Sequence, residues 1–181
     1  MKSAQDVLDF WFVEHGQKDW FGSTPEFDAL LHEKFFDLYG HVAAGEASSW
    51  RVSPEGRVAE IVVLDQFSRQ FFRGRAEAFS TDKMSLVLAQ ELVLSGNDKS
   101  LTNDQRFFAY LPFMHSESLK IHETALQLFT DLGDENTLKF ENLHRDVLLK
   151  FGRYPKRNAA LGRTSTPQEL DYISSRQGEH F

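Results

Sequence analysis

Residues 53–74 read SPEGRVAEIVVLDQFSRQFFRG, and the fold class turns on whether this run is strand or helix. Ser53-Pro54 is a helix start, because proline at the first helical position gives up an N–H that has no intrahelical acceptor anyway. The β-branched stretch Ile61-Val62-Val63-Leu64 suits a strand locally. Phe67 and Phe71, however, extend it at a spacing of three and four, which a helix keeps on one side and a strand does not. Turned at about 100° per residue, Val58, Ala59, Ile61 to Leu64, Phe67, Phe71 and Phe72 fall all round the helix rather than on one stripe. Such a helix is central and covered on every side. It runs to Gly74.

The same punctuation extends outward in both directions. Ser3 with Asp6 opens a first helix to about His15, stopped by Gly16, and Thr24-Pro25 opens a second to about Ala44. Ser80 or Thr81 caps a fourth that ends at Gly96, and Thr102 with Gln105 makes a capping box for a short fifth that Pro112 should kink or break. Ser116 caps a sixth to Gly133, Asn136 a seventh to Gly152, and Thr166-Pro167-Gln168-Glu169 a short eighth. The expectation is an all-α fold of about eight helices in antiparallel hairpins, a bundle or short array, forming a single domain over 1–181. No repeat consensus shows itself.

Composition bounds the function. The chain has 181 residues, 41% hydrophobic and 26% charged, with 17 Phe, 3 Trp and 4 Tyr, so aromatic packing supplies much of the core. Cysteine is absent, which removes disulfides, thiolate metal sites and cysteine nucleophiles. No run of about 18 uncharged apolar residues exists, and the opening MKSAQDVLDFWF carries Asp6 and Asp9 where a secretory signal needs a clean apolar run. A cytoplasmic protein without membrane contact is the default. The net charge of −7 argues against nucleic acid as a partner. Between Arg145 and Arg163, however, six basic residues face only Asp146, which leaves room for a local anion site.

Three places carry chemistry-bearing residues. Asp65 and Arg69 lie four apart on the apolar surface of the central helix, where an unpaired ion would cost several kcal/mol, so they satisfy each other, reach a polar partner or line a wet cleft. Leu111-Pro112-Phe113-Met114-His115-Ser116-Glu117 places an imidazole and a carboxylate at a helix entrance; His115 is a candidate general base and Glu117 its orienting acid. His144 lies in line with Phe140, Val147, Leu148 and Phe151, so its ring faces the core side, and the ordered run Phe151-Gly152-Arg153-Tyr154-Pro155-Lys156-Arg157-Asn158 follows it. Guanidinium groups there suit bidentate binding of a carboxylate or phosphate. His115, His122 and His144 lack HExxH spacing, and no GxGxxG, Walker or GxSxG motif occurs, so neither a metal nor a cofactor is expected.

Taken in order, Leu64-Asp65-Gln66-Phe67-Ser68-Arg69, Arg73-Gly74, Ala78-Phe79, Asp82, Pro112 to Glu117, His144-Arg145-Asp146, Phe151 to Pro155, Arg157-Asn158 and Leu161-Gly162-Arg163 resemble the bacterial domain-of-unknown-function family 924. Phe10-Trp11-Phe12 and Trp20-Phe21 are similar to it as well. The resemblance spans essentially the whole chain and implies a fold similar to tetratricopeptide-repeat proteins. It implies no reaction. The chain departs from the family pattern in having Ser68 where proline is usual, Gln70 for asparagine and Lys156 for histidine.

Three readings follow. In the first, a small anionic ligand or acidic peptide end binds in an Arg/His-lined cleft, with Arg69, Arg73, Arg153 and Arg157 supplying charge and Phe113 and Tyr154 its walls. The second is a hydrolase, metal-dependent or not, with His144 or His115 as base and Asp65 or Glu117 as orienting acid. In the third, the same residues form a buried polar network and a protein partner engages another surface.

Overall fold

The computed structural model describes residues 2–22 and 24–175, and every regular element among them is helical. Backbone packing sorts the chain into two compact units: Met1–Arg73 with Glu77–Pro112, and Gly74–Ala76 with Phe113–Phe181. Among the described residues no helix is long and apolar enough to cross a membrane.

The first unit is built around the stretch that opened the sequence reading. Helix α1 (Ala4–Leu8) starts on a reciprocal capping box between Ser3 and Asp6 and continues without a break into a wider π-helical turn, Asp9–Glu14. Helices α2 (Gln17–Gly22) and α3 (Pro25–Ala43) follow, α3 capped by the Thr24 hydroxyl. Next come a 3₁₀ segment, Ser48–Val52, and the central rod: α4 (Pro54–Val62), a second π-helical turn (Val63–Phe67) and α5 (Ser68–Phe71). Val58, Ala59, Ile61 to Leu64 and Phe67 are wholly buried. Around them pack Phe10, Trp11, Phe27, Phe35 and Phe108, largely edge to face or tilted, the arrangements ring quadrupoles prefer. Helix α6 (Asp82–Leu94) and, as far as Pro112, helix α7 (Asn103–Met114) also belong to this unit.

Three features qualify the sequence reading here. A π-helical turn displaces carbonyl oxygens from their regular amide partners, and side chains take them up. The Leu64 carbonyl accepts from the Ser68 hydroxyl at 2.7 Å and the Thr81 hydroxyl at 2.6 Å. Thr81 is therefore diverted, and α6 begins without the side-chain cap expected of it. Second, α7 does not break at Pro112: the proline stands two residues before the helix end, so the rod forgoes one backbone bond and stops anyway. Third, Gly56 in α4 is required by a close approach, since a Cβ there would lie 2.0 Å from the Trp50 carbonyl oxygen.

In the second unit α8 (Leu119–Leu132) and α9 (Glu135–Phe151) fold back on one another through Gly133, whose φ of 78° suits a residue without Cβ. Capping again moves by two residues from what the sequence suggests. The α8 cap position is Ser118, so Ser116 and Glu117 stay in the link, and the α9 cap is Asp134, whose carboxylate accepts the amides of Asn136 and Thr137. After Gly152 the chain makes a 3₁₀ turn, Pro155–Arg157, and enters α10 (Pro167–Ser175) through the expected capping box of Thr166 and Glu169.

Candidate functional site

The residue that organises the second unit's chemistry is Tyr154, fully buried where the turn after α9 passes the link before α8. Its backbone N–H donates to the Glu117 carboxylate at 2.7 Å, and its hydroxyl donates to the Met114 carbonyl at 2.6 Å. Because Ser116 is in the link, its carbonyl accepts from His122 Nε2 at 2.8 Å, with the Tyr154 hydroxyl 3.1 Å from the same nitrogen. A carbonyl can only accept, so Nε2 carries a hydrogen. The other ring nitrogen, Nδ1, lies 2.6 Å from Glu141 Oε1, and both side chains are sealed from solvent. Among the described residues Glu141 Oε2 has no hydrogen-bond partner. Burial pushes the Glu141 carboxyl upward, against the opposing pull of His122, and burial likewise raises the Tyr154 hydroxyl.

Beside this buried couple stands His144, one turn further along α9 than Glu141 and 6% exposed. Its Nδ1 is 2.7 Å from the Phe140 carbonyl and so bears a hydrogen too. The His144 ring centre is 5.7 Å from that of Tyr154 and 6.4 Å from that of His115. Arg157 lies over the Tyr154 ring at 4.6 Å and donates to the His115 carbonyl at 2.9 Å. Burial lowers His144 to about 3, with Arg157 acting in the same direction and the bond to Phe140 opposing it.

Two further arginines of this unit hold the turn. Arg153 is bidentate on Glu169 at 2.7 and 2.8 Å and also donates to the Thr164 carbonyl. Arg163 grips Glu117 at 2.7 and 2.9 Å, the Tyr154 carbonyl at 3.0 Å and the Asn158 side chain at 2.9 Å. Burial pushes Glu117 up, but Arg163 and the Tyr154 amide outweigh it and hold the carboxyl low. Glu169, held by Arg153 and the Thr166 amide, lies at about 2.

His115, His144, Tyr154 and Arg157 are thus brought together, while Glu117 and Arg153 go to Arg163 and Glu169. Phe113 is buried in the same unit. Asp65, Arg69 and Arg73 belong to the first unit. There Arg69 spans Asp65, at 3.2 Å, and Asp82, at 2.8 and 3.0 Å, and donates to the Asp65 carbonyl at 2.7 Å; Arg73 meets Asp28 at 3.1 Å. Sequence reasoning missed Glu141, although its place three before His144 and seven before Leu148 puts it on the buried stripe. Asp82, Arg163 and Glu169 were also missed as partners, and no local spacing points to them. Among the described residues no group of three His, Asp or Glu side chains is arranged to hold a metal ion.

Among curated proteins none matches this chain. The solved structure of a protein of unknown function from Agrobacterium tumefaciens is similar to it, with 35% identity, a TM-score of 0.90, and coverage of 95% of this chain and 97% of that one. The profile of the family described as bacterial proteins of unknown function (DUF924) matches residues 7–177, and with nearly the whole described chain inside that match, this protein belongs to the DUF924 family.

Proposed function

We propose that the second unit binds a small anionic ligand, or the acidic end of a peptide, through Arg157, His115 and His144 against the Tyr154 ring. The observation that carries this reading is that the His144 ring and the Arg157 guanidinium both meet the buried Tyr154 ring, with the His115 ring beside His144. The basic excess between Arg145 and Arg163 supports it, since much of that segment is folded into the same turn. Binding fits better than base catalysis by His144. A base works best with a pKa near the operating pH, and a ring held near 3 is too weak a base at neutrality. The sealed His122 and Glu141 couple has a structural part beside this site, fixing how α8, α9 and the turn meet.

Calorimetric titration with sulfate and with succinate tests the proposal. Arg157→Ala should weaken binding of either probe by about tenfold or more, the usual worth of a charge-assisted hydrogen bond. Affinity unchanged in a variant that still folds would overturn it.

A further inference from the structure

A surface groove of about 560 Å³ lies wholly within the first unit. Six residues of the opening helix line it in two rows spaced four apart: Ala4, Leu8 and Phe12, then Gln5, Asp9 and Val13. Residues four apart share one face of a helix, so these side chains form a continuous wall. The rest of the lining comes chiefly from the 3₁₀ segment Ser48–Val52 and the start of α4, where Trp50 and Val52 are its large apolar members. Leu8 and Trp50 are nearly covered and form an apolar floor, whereas Val13 is 77% exposed and Val52 91% exposed. The groove is thus apolar below and open above.

Its charges have one sign. The ionisable residues of the lining are Asp9 and Glu55. Asp9 accepts from Gln5 at 2.7 Å through one oxygen, and Glu55 has no hydrogen-bond or ion-pair partner among the described residues. The arginines nearest in sequence are engaged elsewhere, Arg51 on Glu60 and Arg57 on the Arg51 carbonyl. An occupant that complements this groove therefore combines apolar side chains with positive charge. A second copy of the chain, at a net charge of −7, suits it poorly. So does a small organic cation, because pockets for such ligands bury most of the ligand's surface and this groove stays open at Val13 and Val52. A stretch of peptide chain needs only one side buried.

From Ala4 to Val13 the wall runs roughly 14 Å at about 1.5 Å per residue, the length of about four or five extended residues at about 3.3 Å each. Independently of the anion-binding reading, which concerns the second unit, we infer that this groove is a docking surface for an extended segment of a partner protein in which apolar residues are bracketed by basic ones. The apolar side chains pack on Leu8, Phe12 and Trp50 and against Val13 and Val52. The Lys or Arg stems lie along the rim and bring their charges to Asp9 and Glu55. Opposite charge speeds the encounter and selects the partner, while the apolar floor supplies the hold.

The probe is the peptide acetyl-Lys-Leu-Thr-Leu-Lys-amide. Its controls are acetyl-Lys-Ser-Thr-Ser-Lys-amide, which lacks the apolar residues, and acetyl-Glu-Leu-Thr-Leu-Glu-amide, which reverses the charge. Each is titrated into ¹⁵N-labelled full-length protein while the backbone amides are followed by NMR. The expected result is saturation by the first peptide alone, with a Kd below about 1 mM and shifts concentrated at residues 4–13 and 49–56. Val52→Ser should weaken it about threefold or more through lost apolar burial, and Glu55→Lys about fivefold or more through reversed charge. Val52 is exposed and Glu55 has no partner among the described residues, so both variants should fold, and the comparison of peptides on the native chain needs neither. The proposal is overturned if the first peptide does not bind, if its shifts centre on other residues, if a control binds as tightly, or if either variant keeps the native affinity. It is overturned equally if acetyl-lysine amide binds as tightly as the full peptide, which gives the groove to a small cation. A dimer in sedimentation that Val52→Ser dissolves gives the groove to a second copy and overturns it too. None of these results bears on sulfate binding in the second unit.

Discussion

Replacing Glu141 by alanine and by glutamine separates what the buried carboxyl does from what its charge does. His122 Nε2 is committed as donor to the Ser116 carbonyl, so when the partner of Nδ1 is deleted the ring cannot turn its only hydrogen round. Glu141→Ala therefore leaves a buried nitrogen lone pair unsatisfied, at roughly 1 to 3 kcal/mol, and opens a void inside the α8 and α9 hairpin; the loss should be about 3 kcal/mol together. Glutamine has the same shape, and its amide N–H can donate to Nδ1 as a protonated carboxyl does. The raised carboxyl and the partnerless Oε2 both favour that neutral form, so Glu141→Gln should cost under about 1 kcal/mol. Urea unfolding followed by far-ultraviolet circular dichroism near pH 7 measures both. If glutamine is as damaging as alanine, the proton resides on His122, the couple is an imidazolium and a carboxylate, and the reasoning fails.

Two further outcomes can be measured alongside. His144 is at about 3 when folded against about 6.5 in an unfolded chain, so below about pH 6.5 unfolding takes up a proton. Its contribution to stability is complete above that pH and falls by about 1.4 kcal/mol per unit on acidification, and this slope should be missing from His144→Asn; parallel curves for the two proteins would refute it. Gly56→Ala should destabilise by about 2 kcal/mol or more, because the added Cβ would meet the Trp50 carbonyl oxygen at 2.0 Å; a melting temperature unchanged within a degree would show that the 3₁₀ segment gives way freely.

Much of this was legible in the letters, and what was hidden has a common cause. The rods could be read because Thr24-Pro25, Ser53-Pro54 and Thr166-Pro167 mark starts by local chemistry. Where two candidate caps stood close together the choice needed three dimensions: Asp134 directly follows Gly133 and takes the cap from Asn136, while Ser116 is drawn into the His122 network. The π-helical turns leave no periodic mark, since one wider turn hardly shifts an all-round apolar pattern. His144 showed as buried from its spacing, and Asp65 with Arg69 from theirs. Their partners did not show, because Asp82 lies thirteen residues beyond Arg69 and Glu169 sixteen beyond Arg153, distances at which sequence alone carries no geometric information.

Asp65 and Arg69 illustrate why a charged pair on an apolar rod is not by itself a site. The π-helical turn at Val63–Phe67 leaves the Leu64 and Asp65 carbonyls needing donors, and this need rather than a ligand accounts for the polar residues nearby. Ser68 and Thr81 supply Leu64, while Arg69 and Ser68 supply Asp65. Having turned one N–H to a carbonyl, the Arg69 guanidinium still needs compensation, which Asp65 gives from one side and Asp82 from the other. His144 presents a different case. Its ring bonds the Phe140 carbonyl within a regular helix, and the His115 ring and Tyr154 lie beside it with Arg157 over Tyr154, which is where the proposed ligand is to be sought.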